Sequence, residues 1–175
     1  MKVRTITQTG VLIALTVVAT MFIRIPNPAT QGYINLGDSM IFVIAVVFGW
    51  RVGGLAGGVG SALADTISGY FLWSPWTLII KGVEGCLVGS LAWWGHRRFS
   101  GWQDQVVSGT AILVGGIWMV LGYYMAGTVL FGSIVALTEI PGNLVQAGVG
   151  LMAALPLSIL LRRALKRSYY GSDAY

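Results

Sequence analysis

Three charged residues, Asp65, Lys81 and Glu84, lie within stretches of sequence that are otherwise apolar enough to belong in a lipid bilayer. A charged side chain in hydrocarbon is costly, so such residues either serve a function or pair with one another. Thr77, Lys81 and Glu84 follow one another at helical spacing and therefore share one face of a helix. The pattern favours a polar binding surface, with pairing of Lys81 to Asp65 or Glu84 as the structural alternative.

The composition indicates which kind of element positions these residues. Of the 175 residues, 55% are hydrophobic and only 10% are charged, whereas a soluble domain carries about 25% charged residues. A bilayer core needs roughly 20 residues per helix. We therefore predict an all-α integral membrane protein, a single domain over residues 1–175, with six transmembrane helices. Their predicted bounds are 5–25, 35–49, 52–71, 76–95, 106–130 and 139–161.

The distribution of basic residues predicts the orientation, because cytoplasmic loops are enriched in lysine and arginine. With the N-terminus inside, Arg24 is the one basic residue expected outside, and Lys81 lies within a span. We therefore expect a multi-pass protein of the cell membrane with both termini in the cytoplasm. Binding of nucleic acid by the basic tail "RRALKR" is the weaker interpretation. The residues expected on the cytoplasmic side are Lys2, Arg4, Arg51, Arg97, Arg98, Arg162, Arg163, Lys166 and Arg167.

Nearly all the polar residues of the predicted spans then fall in the outer half of the bilayer. A cavity that opens to the outside and is closed below has this one-sided pattern, and small-molecule sites combine aromatic walls with a few polar groups. Two of the acids have structural interpretations as well as a role in binding a ligand. Asp38 could cap a helix, and Glu139 could be a first-turn acid favoured by the helix dipole. Tyr123 and Tyr124 are adjacent, so at most one faces the cavity. The candidate binding residues are Asn35, Asp65, Trp76, Thr77, Lys81, Glu84, Tyr123, Asn143 and Gln146.

Motifs of catalysis are absent from the sequence. It has no phosphate-binding loop, no H-E-x-x-H, no G-x-S-x-G and no cluster of metal ligands. The single cysteine, Cys86, cannot form an internal disulfide and is interpreted as a packing residue. We expect a protein that is not an enzyme and has no cofactor or bound metal.

Small residues recur at the spacing that lets membrane helices approach closely. Gly53-x-x-x-Gly57 and Gly54-x-x-x-Gly58 lie in the third predicted span. In the first span, Gly10-x-x-x-Ala14 leaves a smooth stripe that suits a partner helix or internal packing.

Taken together, "GYINLGDSMIFVIAVVFGWRVGGLAGGVGSALADTISGY" and "SPWTLIIKGVEGCLVGSLAWW" resemble the S components of energy-coupling factor (ECF) vitamin transporters. The resemblance covers nearly the whole chain. It implies a prokaryotic six-helix membrane protein that binds a vitamin or a vitamin precursor from outside with high affinity. It also implies two kinds of partner, a transmembrane T component and two cytoplasmic ATPase subunits.

The resemblance further implies roles for particular residues. Helices one to three would meet the T component, with Gly10 and Ala14 as the matching small residues, although a glycine stands where an alanine is usual. The first loop would act as a lid. Residues of the fourth to sixth helices would line the ligand, which matches Trp76, Lys81, Tyr123, Asn143 and Gln146.

The identity of the ligand is less closely specified. A lysine with aromatic and amide neighbours suits a small hydroxylated ring, such as hydroxymethylpyrimidine or a B6 vitamer. Riboflavin, folate, pantothenate and thiamine remain open. Two other classes of protein also fit the sequence, a stand-alone proton-coupled secondary transporter and a membrane scaffold without a ligand.

Overall fold

Over the residues that the structure describes, the fold consists of six long helices and one short one, with a small hairpin after the first helix. The computed structural model describes residues 3–170, with side chains over 6–165. The expectation that both termini are cytoplasmic therefore concerns ends, 1–2 and 171–175, that lie outside the described residues. The elements are α1 (Val3–Phe22), β1 (Arg24–Asn27), β2 (Gly32–Asn35), α2 (Gly37–Phe48), α3 (Trp50–Ile67), α4 (Ser74–Arg98), α5 (Trp102–Phe131), α6 (Ser133–Ala136) and α7 (Glu139–Tyr170).

Each of the six long helices overlaps one of the six predicted spans. Helices α4, α5 and α7 are longer than predicted, and α3 ends at Ile67 rather than at residue 71. By length and hydropathy alone, two stretches of the described chain, Trp102–Phe131 and Ser133–Leu165, qualify as membrane spans. Two shorter apolar helices, Ile6–Phe22 and Gly37–Phe48, accompany them. Large apolar side chains are exposed around the outside of the bundle, among them Val18, Ile67, Met125, Val129 and Met152. Such a surface suits lipid rather than water.

The first loop, between the first two predicted spans, forms a β-hairpin. β1 and β2 pair antiparallel, with Arg24 opposite Asn35 and Asn27 opposite Gly32. Gln31, with φ of 53°, lies in the left-handed region within the turn between the strands. Pro26 is tolerated because both strands of a two-stranded ribbon are edge strands.

Helices α3 and α4 pack closely, as the glycine spacing predicts. A Cβ atom on Gly57 would lie 2.6 Å from the backbone oxygen of Lys81, and one on Gly53 would lie 3.0 Å from that of Gly85. The absence of side chains at these positions lets the two backbones approach. The close approach at Gly57 sets the position of Lys81 along the length of α3.

Candidate ligand-binding site

A narrow cavity lies among α1, the hairpin and the ends of α3, α4, α5 and α7 that are nearest the hairpin. The free space at its centre measures about 20 Å³, which is room for about one water molecule. Its walls include seven of the nine residues proposed from the sequence to bind ligand. They are Asn35, Asp65, Thr77, Lys81, Tyr123, Asn143 and Gln146.

The other two proposed residues, Trp76 and Glu84, lie near the cavity but do not line it. Trp76 packs against an apolar cluster that includes Met119 and Val120. Glu84 lies one helical turn below Lys81 and is fully buried. Tyr123 lines the cavity and Tyr124 does not, in agreement with the expectation that at most one of them faces it.

Lys81 is the centre of a buried ion network. Its ammonium donates to Asp38 Oδ1 and lies 3.1 Å from Glu84 Oε2. It also lies 5.5 Å from the centre of the Tyr123 ring, within the range of a cation–π contact. Lys81 therefore pairs with Glu84, as the structural alternative predicts. Its other partner is Asp38 rather than Asp65.

Asp38 does not cap its helix with its side chain. It lies in the first turn of α2 and is 1% exposed. Its second oxygen, Oδ2, accepts a hydrogen bond of 2.8 Å from Gln146 Nε2. Gln146 Oε1 in turn accepts from the backbone N–H of Asn35 at 2.7 Å. Gln146 thus joins α7 to both the hairpin and α2.

Asp65 pairs with the hairpin rather than with Lys81. The hydroxyl of Tyr33 donates to Asp65 Oδ1 at 2.5 Å, and the Tyr33 ring lies 4.4 Å from that of Tyr70. Burial of Tyr33, together with the nearby Asp65 carboxylate, raises the pKa of its hydroxyl above the usual value. The hydroxyl therefore stays protonated and remains a donor.

The hairpin turn is held down at the other side of the cavity. Glu139 Oε1 accepts hydrogen bonds from Asn27 Nδ2, at 2.9 Å, and from the Thr30 hydroxyl. Trp73 Nε1 donates to the Thr30 carbonyl at 3.1 Å. Glu139 lies in the first turn of α7, where an acid is favoured by the helix dipole, as the sequence suggested. It also lines the cavity.

Two polar groups in the cavity wall have no hydrogen-bond partner among the described residues. They are the hydroxyl of Thr20 and the Nδ2 group of Asn143, on side chains that are 1% and 4% exposed. Buried polar groups are usually hydrogen-bonded. These two are consequently the groups best placed to bond to a ligand.

Four residues that line the cavity, Thr20, Tyr33, Trp73 and Glu139, are not among the nine binding residues predicted from the sequence, and neither is Asp38. Thr20 belongs to α1, where Thr16 and Thr20 repeat at helical spacing on the buried face. That periodicity was a usable signal for a buried polar stripe. Trp73 is buried and lines the cavity, although a tryptophan at the end of a span often marks the membrane interface.

The Gly10 and Ala14 stripe of α1 faces away from the rest of the chain. Both residues are exposed, and a Cβ on Gly10 would have no neighbour within 4 Å. Within the described residues, the stripe is therefore not used for internal packing.

The opposite end of the bundle is closed by a second polar network. His96 bonds to Asp104 through Nδ1 and lies 3.1 Å from the Val46 carbonyl through Nε2. Arg162 donates to the other oxygen of Asp104 at 2.8 Å. These contacts tie α2, α4, α5 and α7 together below the cavity. Across residues 3–170, no group of three or more histidine, cysteine or acidic residues could hold a metal ion.

The fold is a helical bundle with an apolar exterior and a buried polar cavity, and comparisons with known proteins give its family. The model of the family described as "ECF-type riboflavin transporter, S component" matches residues 1–163. The chain belongs to this family, which is membrane-embedded in prokaryotes. It is a class of substrate-binding transporter subunits rather than of enzymes.

Individual relatives agree with this assignment. The thiamine precursor transporter HmpT of Lactococcus lactis subsp. cremoris is 30% identical over 163 residues, which is 93% of this chain and 90% of the relative. An uncharacterized protein of Pyrococcus woesei is 46% identical over 148 residues, 85% of this chain and 95% of that protein. A solved S component of a bacterial ECF transporter has a TM-score of 0.66 at 20% identity, covering 97% of this chain and 99% of that one.

Proposed function

We propose that this chain captures a small vitamin or vitamin precursor at the outer face of a prokaryotic cell membrane. The observation that carries the proposal is the polar cavity beneath the hairpin, where the unpartnered donors of Thr20 and Asn143 face the same space as Lys81 and Asp65. The chain would cross the membrane six times with both ends inside. It would deliver its ligand through a T component and two ATPase subunits.

The preferred ligand is a single substituted ring, hydroxymethylpyrimidine or a B6 vitamer. The name of the relative HmpT, a thiamine precursor transporter, supports a pyrimidine. The cavity supports a small ring, because its free space is about 20 Å³ and a larger ligand would have to displace more of the wall. Riboflavin, after which the matching family is described, is the competing ligand.

The proposed ligand contacts are Asn35, Asp65, Thr77, Lys81, Tyr123, Asn143 and Gln146, with Thr20 added. Thr77 and Tyr123 hold each other through hydroxyls 3.0 Å apart, which orients the ring of Tyr123 as a stacking surface. Gly10 and Ala14 form the proposed contact with the T component.

Mass spectrometry of small molecules released from the purified full chain tests the ligand. We expect a stoichiometric pyrimidine or pyridine compound, and absence of any copurifying or added vitamin that binds would contradict the proposal. Uptake assays separate it from a proton-coupled carrier. Loss of uptake on deleting the ATPases, with uptake retained after collapse of the proton gradient, is the expected result.

A further inference from the structure

We infer that the cavity selects its ligand by charge, accepting a neutral or cationic molecule that donates hydrogen bonds and rejecting one that carries a phosphate or carboxylate group. This inference rests on the proposed function. It adds the charge class of the ligand, which membership of the family leaves open.

The first observation concerns the cation of the cavity. Lys81 is the one lysine or arginine among the described residues that line it. Asp38 and Glu84 already engage its ammonium from behind, and all three side chains are almost completely buried. One positive charge is thus shared by two carboxylates. An anionic ligand would find no free cation there.

The second observation concerns the two acids of the wall. Asp65 accepts from the Tyr33 hydroxyl, and Glu139 accepts from Asn27 and Thr30, all of which are neutral partners. Neither carboxylate forms a salt bridge with a described side chain. Arg24, at the start of β1, is exposed and is not part of the cavity wall.

The balance of charge around the cavity is therefore negative or neutral. Protonation of a carboxyl group removes a negative charge but adds no positive one. Like charges placed together in a buried site are strongly unfavourable. A carboxylate oxygen has several lone-pair positions, so Asp65 and Glu139 can accept from amino or hydroxyl groups of a ligand. Thr20 and Asn143 can donate to its ring nitrogens or oxygens.

Matched pairs of compounds test this inference by isothermal titration calorimetry on the full chain in detergent. Each pair is an alcohol and its phosphate ester: hydroxymethylpyrimidine, pyridoxine and riboflavin, each against its monophosphate. We expect the alcohol of the cognate pair to bind. Its phosphate should bind more weakly, by roughly a hundredfold or more. A phosphate that binds as tightly as its alcohol would overturn the inference and leave the proposed function intact.

Two isosteric variants separate charge from size. Asp65→Asn and Glu139→Gln remove a carboxylate charge without changing the shape of the wall, and melting curves establish which of them is folded. We expect the ratio of the dissociation constant of the phosphate to that of the alcohol to fall by roughly tenfold in a folded variant. An unchanged ratio in both folded variants would show rejection by size and overturn the inference. Failure of all six compounds to bind the wild-type chain would overturn the proposed ligand class, and the inference with it.

Discussion

The ammonium of Lys81 on α4 and the carboxylate of Asp38 on α2 form an ion pair in which the side chains are only 2% and 1% exposed. The two residues are 43 positions apart in the chain. Gln146 of α7 bonds to the same carboxylate, so three helices meet at Asp38. The pair thus joins helices of the bundle, and its Lys81 member also lines the cavity.

Replacement of Lys81 by methionine should lower the stability of the ligand-free protein. The change leaves the Asp38 and Glu84 carboxylates buried without a cation, and breaking a buried pair in this way costs about 3–5 kcal/mol. A melting curve in detergent measures the loss. Glu84→Gln is the control, because it leaves Lys81 paired with Asp38 and should destabilise much less. Equal melting temperatures for wild type and Lys81→Met would contradict the ion network.

Replacement of Thr20 by valine should weaken ligand binding without lowering stability. The Thr20 hydroxyl has no partner in the described structure, so its removal deletes no internal hydrogen bond. Loss of one hydrogen bond to a ligand costs about 0.5–1.5 kcal/mol, to be measured by titration with hydroxymethylpyrimidine. Thr16→Val is the matched control, since the Thr16 hydroxyl donates to the Leu12 carbonyl and does not line the cavity. Equal affinity losses in both variants would count against a contact by Thr20.

Replacement of Gly57 by alanine should destabilise the protein. The new Cβ would lie 2.6 Å from the Lys81 backbone oxygen, so α3 and α4 must separate. Overpacking of this kind costs about 1–3 kcal/mol. The control is Gly148→Ala, at an exposed helical position where a Cβ has no neighbour within 4 Å. We expect its melting temperature to be unchanged or slightly raised. If both variants melt like the wild type, the two helices are not in close contact.

Replacement of Ala14 by tryptophan should abolish uptake in cells that contain the T component and the ATPases, while the purified variant keeps its ligand affinity. Ala14 is exposed and distant from the cavity wall, so a bulky side chain there obstructs a partner rather than the ligand. Met125→Trp introduces the same side chain at an exposed position of α5 and should transport normally. Transport by Ala14→Trp at the wild-type rate would exclude this face as the partner contact.

The helices could be predicted from sequence because hydropathy and basic flanking residues act locally along the chain. The choice of partner for Lys81 could not, because helical periodicity assigns a residue to a face but does not say which helix lies opposite. Asp65 and Glu84 were the candidates on those grounds, and Asp38, the partner in the structure, was not among them. The hairpin was missed because its strands have only four residues each, and two prolines near its turn read as irregular loop.

The hairpin that covers the cavity has a consequence for the rate of binding. The free space of about 20 Å³ has room for about one water molecule, so we expect the bonds of Asn27 and Thr30 to Glu139 to open before a single-ring ligand enters and to reform behind it. Association that requires a conformational change is slower than ordinary protein encounter rates. Stopped-flow measurement of the tryptophan fluorescence of the protein should therefore show a binding rate that levels off at high ligand concentration. Under the proposed function, the same bonds would slow release, so that a molecule captured from a dilute medium would stay bound until the T component and the ATPases act.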